Sequence, residues 1–104
     1  MSGNFVKAAS ARALKPGSMQ RIEMAGKKIL LANVDGQFYA MDDTCSHEDA
    51  SLCTGSLKGE LVKCPLHGSR FNVRTGEVLE EPAVENLRTY MLRVEGDDIL
   101  IALA

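Results

Sequence analysis

Two short segments carry the residues best suited to chemistry, Cys45-Ser46-His47 and Cys64-Pro65-Leu66-His67. Each sets a soft thiolate and an imidazole in one tight loop, where a turn can aim both side chains at a single point. The chain has two histidines and three cysteines, and each histidine follows a cysteine by two or three residues. Three readings fit these residue types. Surface histidines beside buried cysteines would need a chance coincidence. A structural zinc site suits two Cys and two His in tetrahedral geometry, but zinc fingers usually place a Cys pair before a His pair. Here the order is Cys, His, Cys, His. An iron–sulfur centre accepts the same donors when two histidines replace two cysteines on one of its irons. With both histidines spent on a metal, no nucleophile–base set remains, so the chain is not expected to be an enzyme in its own right.

The elements that must hold these loops read as β-structure. Lys27–Val34 is a β-rich run, preceded by Ala25-Gly26 and followed by Asp35-Gly36, a strong hairpin signal that returns the chain through residues 37–41. Tyr90, Leu92 and Val94 alternate with Thr89, Met91 and Arg93. Beyond Glu95-Gly96-Asp97-Asp98, Ile99, Ile101 and Leu103 alternate again, which predicts one meander hairpin with a buried face. Arg74-Thr75-Gly76-Glu77 reads as a further turn, and the only helical signal is short, at residues 10–14 before Pro16-Gly17. Between residues 44 and 70 the strand pattern weakens, as expected of loops presented by a scaffold. The fold class is therefore all-β, a small antiparallel sandwich or partly open barrel.

A length of 104 residues allows one domain, residues 1–104, with the metal-binding loops at about 43–70 inserted in the β-scaffold. Apolar residues at 45% and charged residues at 25% are ordinary for a globular chain. A net charge of −2 argues against a nucleic-acid partner. No apolar run of about 18 residues is present to span a membrane. Residues 1–7 lack the features of a secretory signal, and three cysteines fit a disulfide framework poorly. A cytoplasmic protein is expected.

The pattern C-x-H-x16-C-x2-H resembles the Rieske family. Phe38-Tyr39-Ala40-Met41, Leu61-Val62-Lys63 and Gly68-Ser69-Arg70-Phe71 are similar to that family as well. The resemblance implies a Rieske-type fold, an antiparallel sandwich with a loop-built cluster-binding subdomain, and one [2Fe–2S] cluster. Cys45 and Cys64 would hold the buried iron, with His47 and His67 on the outer one. Two ferric ions, two sulfides and two thiolates cancel in charge, so an electron is accepted more readily than at an all-cysteine site.

Rieske proteins of respiratory and photosynthetic chains add a membrane anchor and two cysteines in a disulfide; the matching positions here are Ala50 and Leu66. Glu48 replaces a leucine beside the first histidine, and Phe71 stands where high-potential members have a tyrosine. Ser69 is retained as a donor to a bridging sulfide. Fewer donors and a nearby carboxylate disfavour the extra electron, which predicts a potential near the low end of the Rieske range, about −150 mV. The combination resembles the soluble ferredoxin component of bacterial aromatic-ring-hydroxylating dioxygenase systems, which serve aromatic hydrocarbon catabolism. That resemblance implies a one-electron carrier between a flavoprotein ferredoxin reductase and a terminal oxygenase, and a monomer whose cluster tip is left open. The small subunit of an assimilatory nitrite reductase is similar too; a structural zinc-binding module is the reading from another class.

Three further features carry expectations. Glu80-Glu81-Pro82-Ala83 matches the proline-containing loop that covers the cluster in the family. The acidic pairs Asp42-Asp43, Glu48-Asp49 and Glu80-Glu81 would steer docking to basic partner surfaces. Cys53 lies outside both motifs and is expected to be a small buried filler.

Overall fold

The computed structural model describes residues 5–46, 49–66 and 68–103. Among them the chain forms ten strands: β1 Phe5–Ser10, β2 Met19–Met24, β3 Lys27–Val34, β4 Gln37–Asp42, β5 Ser56–Lys58, β6 Leu61–Lys63, β7 Arg70–Asn72, β8 Thr89–Tyr90, β9 Leu92–Glu95 and β10 Asp98–Ala102. They pair antiparallel in three sheets, ordered β1-β10-β9, β2-β3-β4-β8 and β5-β6-β7. The only helical pieces described are two three-residue 3-10 turns, Ala11–Ala13 and Leu52–Thr54. The fold is thus all-β, antiparallel and rich in loops.

Strand β3 explains the layering. Its Ile29 and Leu31 join Ile22, Ala40, Tyr90, Ile99 and Ile101 in one apolar cluster, against the β1-β10-β9 sheet. Its Leu30 and Ala32 point the other way, into a second cluster with Met41, Leu52, Val62 and Phe71. A strand buried on both faces needs an unbroken apolar run, as the sequence has here. Burying each such side chain fully is worth about 1.5–3 kcal/mol. Asp35 and Gly36, at φ 52° and 91°, close the β3–β4 hairpin in the left-handed region that a two-residue turn requires.

The C-terminal run departs from the single hairpin predicted for it. Thr89 and Tyr90 pair with Met41 and Ala40 in the four-stranded sheet, whereas Leu92 and Val94 pair with Ile101 and Ile99 in the other. The chain changes sheets at Met91, which is 74% exposed. Alternation continues across the crossing, so pattern alone does not reveal it. Val94 lies on an edge strand and stays 44% exposed instead of joining the buried face. Segment 44–70 is likewise more than loop, since β5, β6 and β7 form a sheet whose three-residue strands are too short for alternation to register.

Candidate metal centre

The first cysteine loop leaves β4 and is tied at its base by Asp43, which is 1% exposed. The Asp43 carboxylate accepts hydrogen bonds from Ser51 Oγ at 2.5 Å and from the Cys53 backbone N–H at 2.9 Å. Arg21 Nε lies 3.8 Å from it. Its backbone carbonyl accepts from Leu52 at 2.7 Å, and its N–H donates to Lys28 at 3.0 Å. Above this base Thr44 bridges Ser51, and the Cys45 N–H donates to the Ala50 carbonyl at 2.9 Å. Cys45 therefore sits where the loop closes, 4% exposed.

The second loop joins β6 to β7. The Cys64 N–H donates to the Ser69 carbonyl at 2.7 Å, and the Gly68 N–H returns to the Cys64 carbonyl at 3.2 Å. Gly68 makes that return at φ 81°, in the left-handed region. Cys64 is 2% exposed and belongs to the same apolar cluster as Cys45. Gly55 brings the two loops together. A Cβ there would stand 1.9 Å from the Lys63 carbonyl oxygen, so only glycine allows the first loop to pass beside the residue preceding Cys64.

A third segment, residues 79–87, roofs both loops. Ser46 Oγ donates to the Glu85 carbonyl at 2.6 Å, and the Ala83 N–H donates to Ser69 Oγ at 2.9 Å. The Leu79 N–H donates to the Arg70 carbonyl at 2.8 Å, and Arg70 and Glu80 pair at 3.4 Å. The sequence expectation for Glu80-Glu81-Pro82-Ala83 thus meets a segment bonded to each cysteine loop. Ser69 is fully buried and uses its oxygen as an acceptor toward Ala83. That leaves its hydroxyl proton for a second partner.

His47, His67 and Glu48 lie outside the described residues. The structure does bring Cys45 and Cys64 into one apolar cluster at the mouths of two loops. Two soft donors shielded from water suit a thiolate-bound metal group rather than a hard, hydrated cation. Phe71 is fully buried beside them and offers no hydroxyl.

Two expectations need correction. Asp42-Asp43 is not a docking pair: Asp43 is buried at the loop base, and Asp42 accepts the Tyr90 hydroxyl at 2.5 Å. Cys53 is half-buried against the core, not fully buried. Burial first, then the Asp43 carboxylate as hydrogen-bond partner and charge, push its thiol well above the ordinary range, while Arg21 pulls it down. A thiol so held stays protonated and makes a poor ligand or nucleophile. Asp43 and Gly55 are the positioning residues that sequence reasoning missed. Asp43 looked like surface charge, and Gly55 belongs to no motif.

The model of the Rieske [2Fe-2S] domain matches residues 4–91. The ferredoxin component of biphenyl 2,3-dioxygenase from Rhodococcus jostii (strain RHA1) is 45% identical, over 95% of this chain and 92% of the relative. The solved ferredoxin of carbazole 1,9a-dioxygenase from Nocardioides aromaticivorans IC177 superposes with a TM-score of 0.91 at 35% identity, covering 95% of this chain and 97% of that one. A ferredoxin solved in complex with the reduced oxygenase of carbazole 1,9a-dioxygenase gives a TM-score of 0.91 at 33% identity, over 97% and 94% of the two chains. With a match that spans most of its length, and loops that gather two shielded cysteines under a bonded roof, this chain belongs to the Rieske [2Fe–2S] domain family.

Proposed function

We propose that this chain is the ferredoxin component of a bacterial aromatic-ring dioxygenase system, carrying single electrons from a flavoprotein reductase to a terminal oxygenase. The observation that carries the reading is the shared burial of Cys45 and Cys64 beneath residues 79–87, each loop held to that segment by one hydrogen bond. It is supported by relatives of the same length class that are ferredoxin components. Cys45, His47, Cys64 and His67 would together hold one [2Fe–2S] cluster in a single domain. When bound, that group supplies reversible one-electron chemistry at a potential above that of all-cysteine ferredoxins.

The chain's own residues do the rest. The Cys45 and Cys64 loops, fixed at their bases by Asp43 and the Cys64–Ser69 turn, keep the two thiolates facing one apolar interior. Residues 79–87 are bonded to both loops, and the buried Ser69 keeps its hydroxyl proton as a donor. Phe71 adds none. A phenylalanine at position 71 in place of a hydroxyl donor leaves the reduced state less stabilised, which favours a potential near the low end of the Rieske range. A monomer acting in the cytoplasm suits a shuttle that must present one tip to two partners in turn.

Reconstitution tests this reading. Product formation by the reductase and oxygenase of a biphenyl dioxygenase system lacking its own ferredoxin should depend on adding the iron-loaded chain. A loaded chain that passes no electrons to the oxygenase would defeat the reading.

A further inference from the structure

The outer face of the β5-β6-β7 sheet is basic. The Leu57–Val62–Phe71 rung turns into the core, so the flanking rungs, Ser56–Lys63–Arg70 and Lys58–Leu61–Asn72, turn outward. Lys58, Lys63 and Arg70 are exposed and line one groove of about 300 Å³ with Ser56 and Leu61. In a chain of net charge −2, three cations in one groove make a local positive field. Nearby carboxylates lie at its margin. Glu80 pairs with Arg70 at 3.4 Å, and Glu60 is engaged by Asn72 at 2.8 Å and Arg74 at 3.7 Å.

The groove is continuous with the second cysteine loop. Lys63 immediately precedes Cys64, and its Cε lies 3.4 Å from where a Cβ on Gly68 would stand. The stem of Lys63 therefore lies along the loop that carries Cys64. The roof segment, by contrast, exposes Glu81 and Glu85. The two flanks of the cysteine loops thus differ in sign.

The geometry points to a docking surface on β5-β6-β7 for an acidic segment of a redox partner protein, seated beside the Cys64 loop. This rests on the electron-carrier reading above. The cations are spread over three strands and two rungs, about 12 Å from first to last. That spacing suits a row of carboxylates on a protein surface better than one compact anion. Long-range attraction would speed encounter, and the opposite sign of the roof would set the partner's rotation about the tip.

The test is an NMR titration of the iron-loaded protein with a hexaglutamate peptide at low ionic strength, with tripolyphosphate as the compact alternative. The proposal expects saturable amide shifts at Lys58, Leu61 and Arg70. Affinity should fall at least tenfold in Lys58→Glu/Arg70→Glu, with Lys63→Gln giving a smaller loss should the double variant fold poorly. Unshifted amides, affinity unchanged in the variants, or tripolyphosphate binding tighter than the peptide would overturn it. Iron content and EPR of the same samples separate the two claims. Loaded protein without peptide binding overturns the docking surface alone, whereas wild-type protein that takes up no cluster defeats the carrier reading and this proposal with it.

Discussion

Strand β3 and the cysteine loops that lie beyond its Leu30 face are held in place by different means. β3 buries Ile29, Leu30, Leu31 and Ala32 completely, between two apolar clusters, and a strand pairs along each of its edges. Its position is set many times over, so no single contact decides it. The loops have the reverse economy. The first runs from six-residue β4 to three-residue β5 and the second between three-residue β6 and β7; a few specific bonds close them, from Asp43 to the first and from Ser69 to the second, and Gly55 lets them approach. Stability is distributed in the scaffold and concentrated at the site, so equal perturbations should have unequal consequences.

The widest gap is expected between Gly55→Ala and Ile29→Val. Gly55→Ala forces a methyl against the Lys63 carbonyl, at a cost of about 3 kcal/mol, with lowered iron content. Ile29→Val should cost about 1 kcal/mol and leave iron content intact. Denaturation midpoints and iron analysis on both variants check the contrast; equal loss of iron would break it. Ser69→Ala comes next, removing the acceptor for a buried Ala83 N–H at about 1–3 kcal/mol. It should also lower the midpoint potential in voltammetry, because a buried hydroxyl donor in the Cys64 loop is gone.

A scaffold prediction is smaller and depends on pH. Burial, then the hydrogen bond to Asp42 and its charge, push the Tyr90 hydroxyl up to about 12, against the pull of Arg88. A folded value raised above the ordinary tyrosine value of about 10 means that the stabilisation is full below pH 10 and is lost as pH rises toward 12. Tyr90→Phe should flatten stability across that window in alkaline titrations. Least of all, Cys53→Ser should change stability by less than about 1 kcal/mol and leave cluster content unchanged; iron loss would show that the ligands are misassigned.

The same contrast decides what could be read from the sequence. The β3–β4 hairpin was legible because Asp35-Gly36 has a turn signature and the flanking run is uniformly apolar. The two cysteine loops were legible because each cysteine stands at a chemical spacing from a histidine. β1 and β2 were not: Phe5–Ser10 and Met19–Met24 lie at sheet edges, half-exposed, with little alternation. The sheet change at Met91 was hidden by alternation that runs through it. Asp43 and Gly55 act through tertiary neighbours, Ser51 and Cys53 for one and Lys63 for the other, which no local window contains.

The central claim, a Rieske [2Fe–2S] cluster on Cys45, His47, Cys64 and His67, is tested most directly by iron and acid-labile sulfide analysis with EPR of the dithionite-reduced protein. The account predicts iron and sulfide in equal amounts and a Rieske-type signal that disappears in Cys64→Ala. Zinc in place of iron, with no sulfide and no signal, would contradict it.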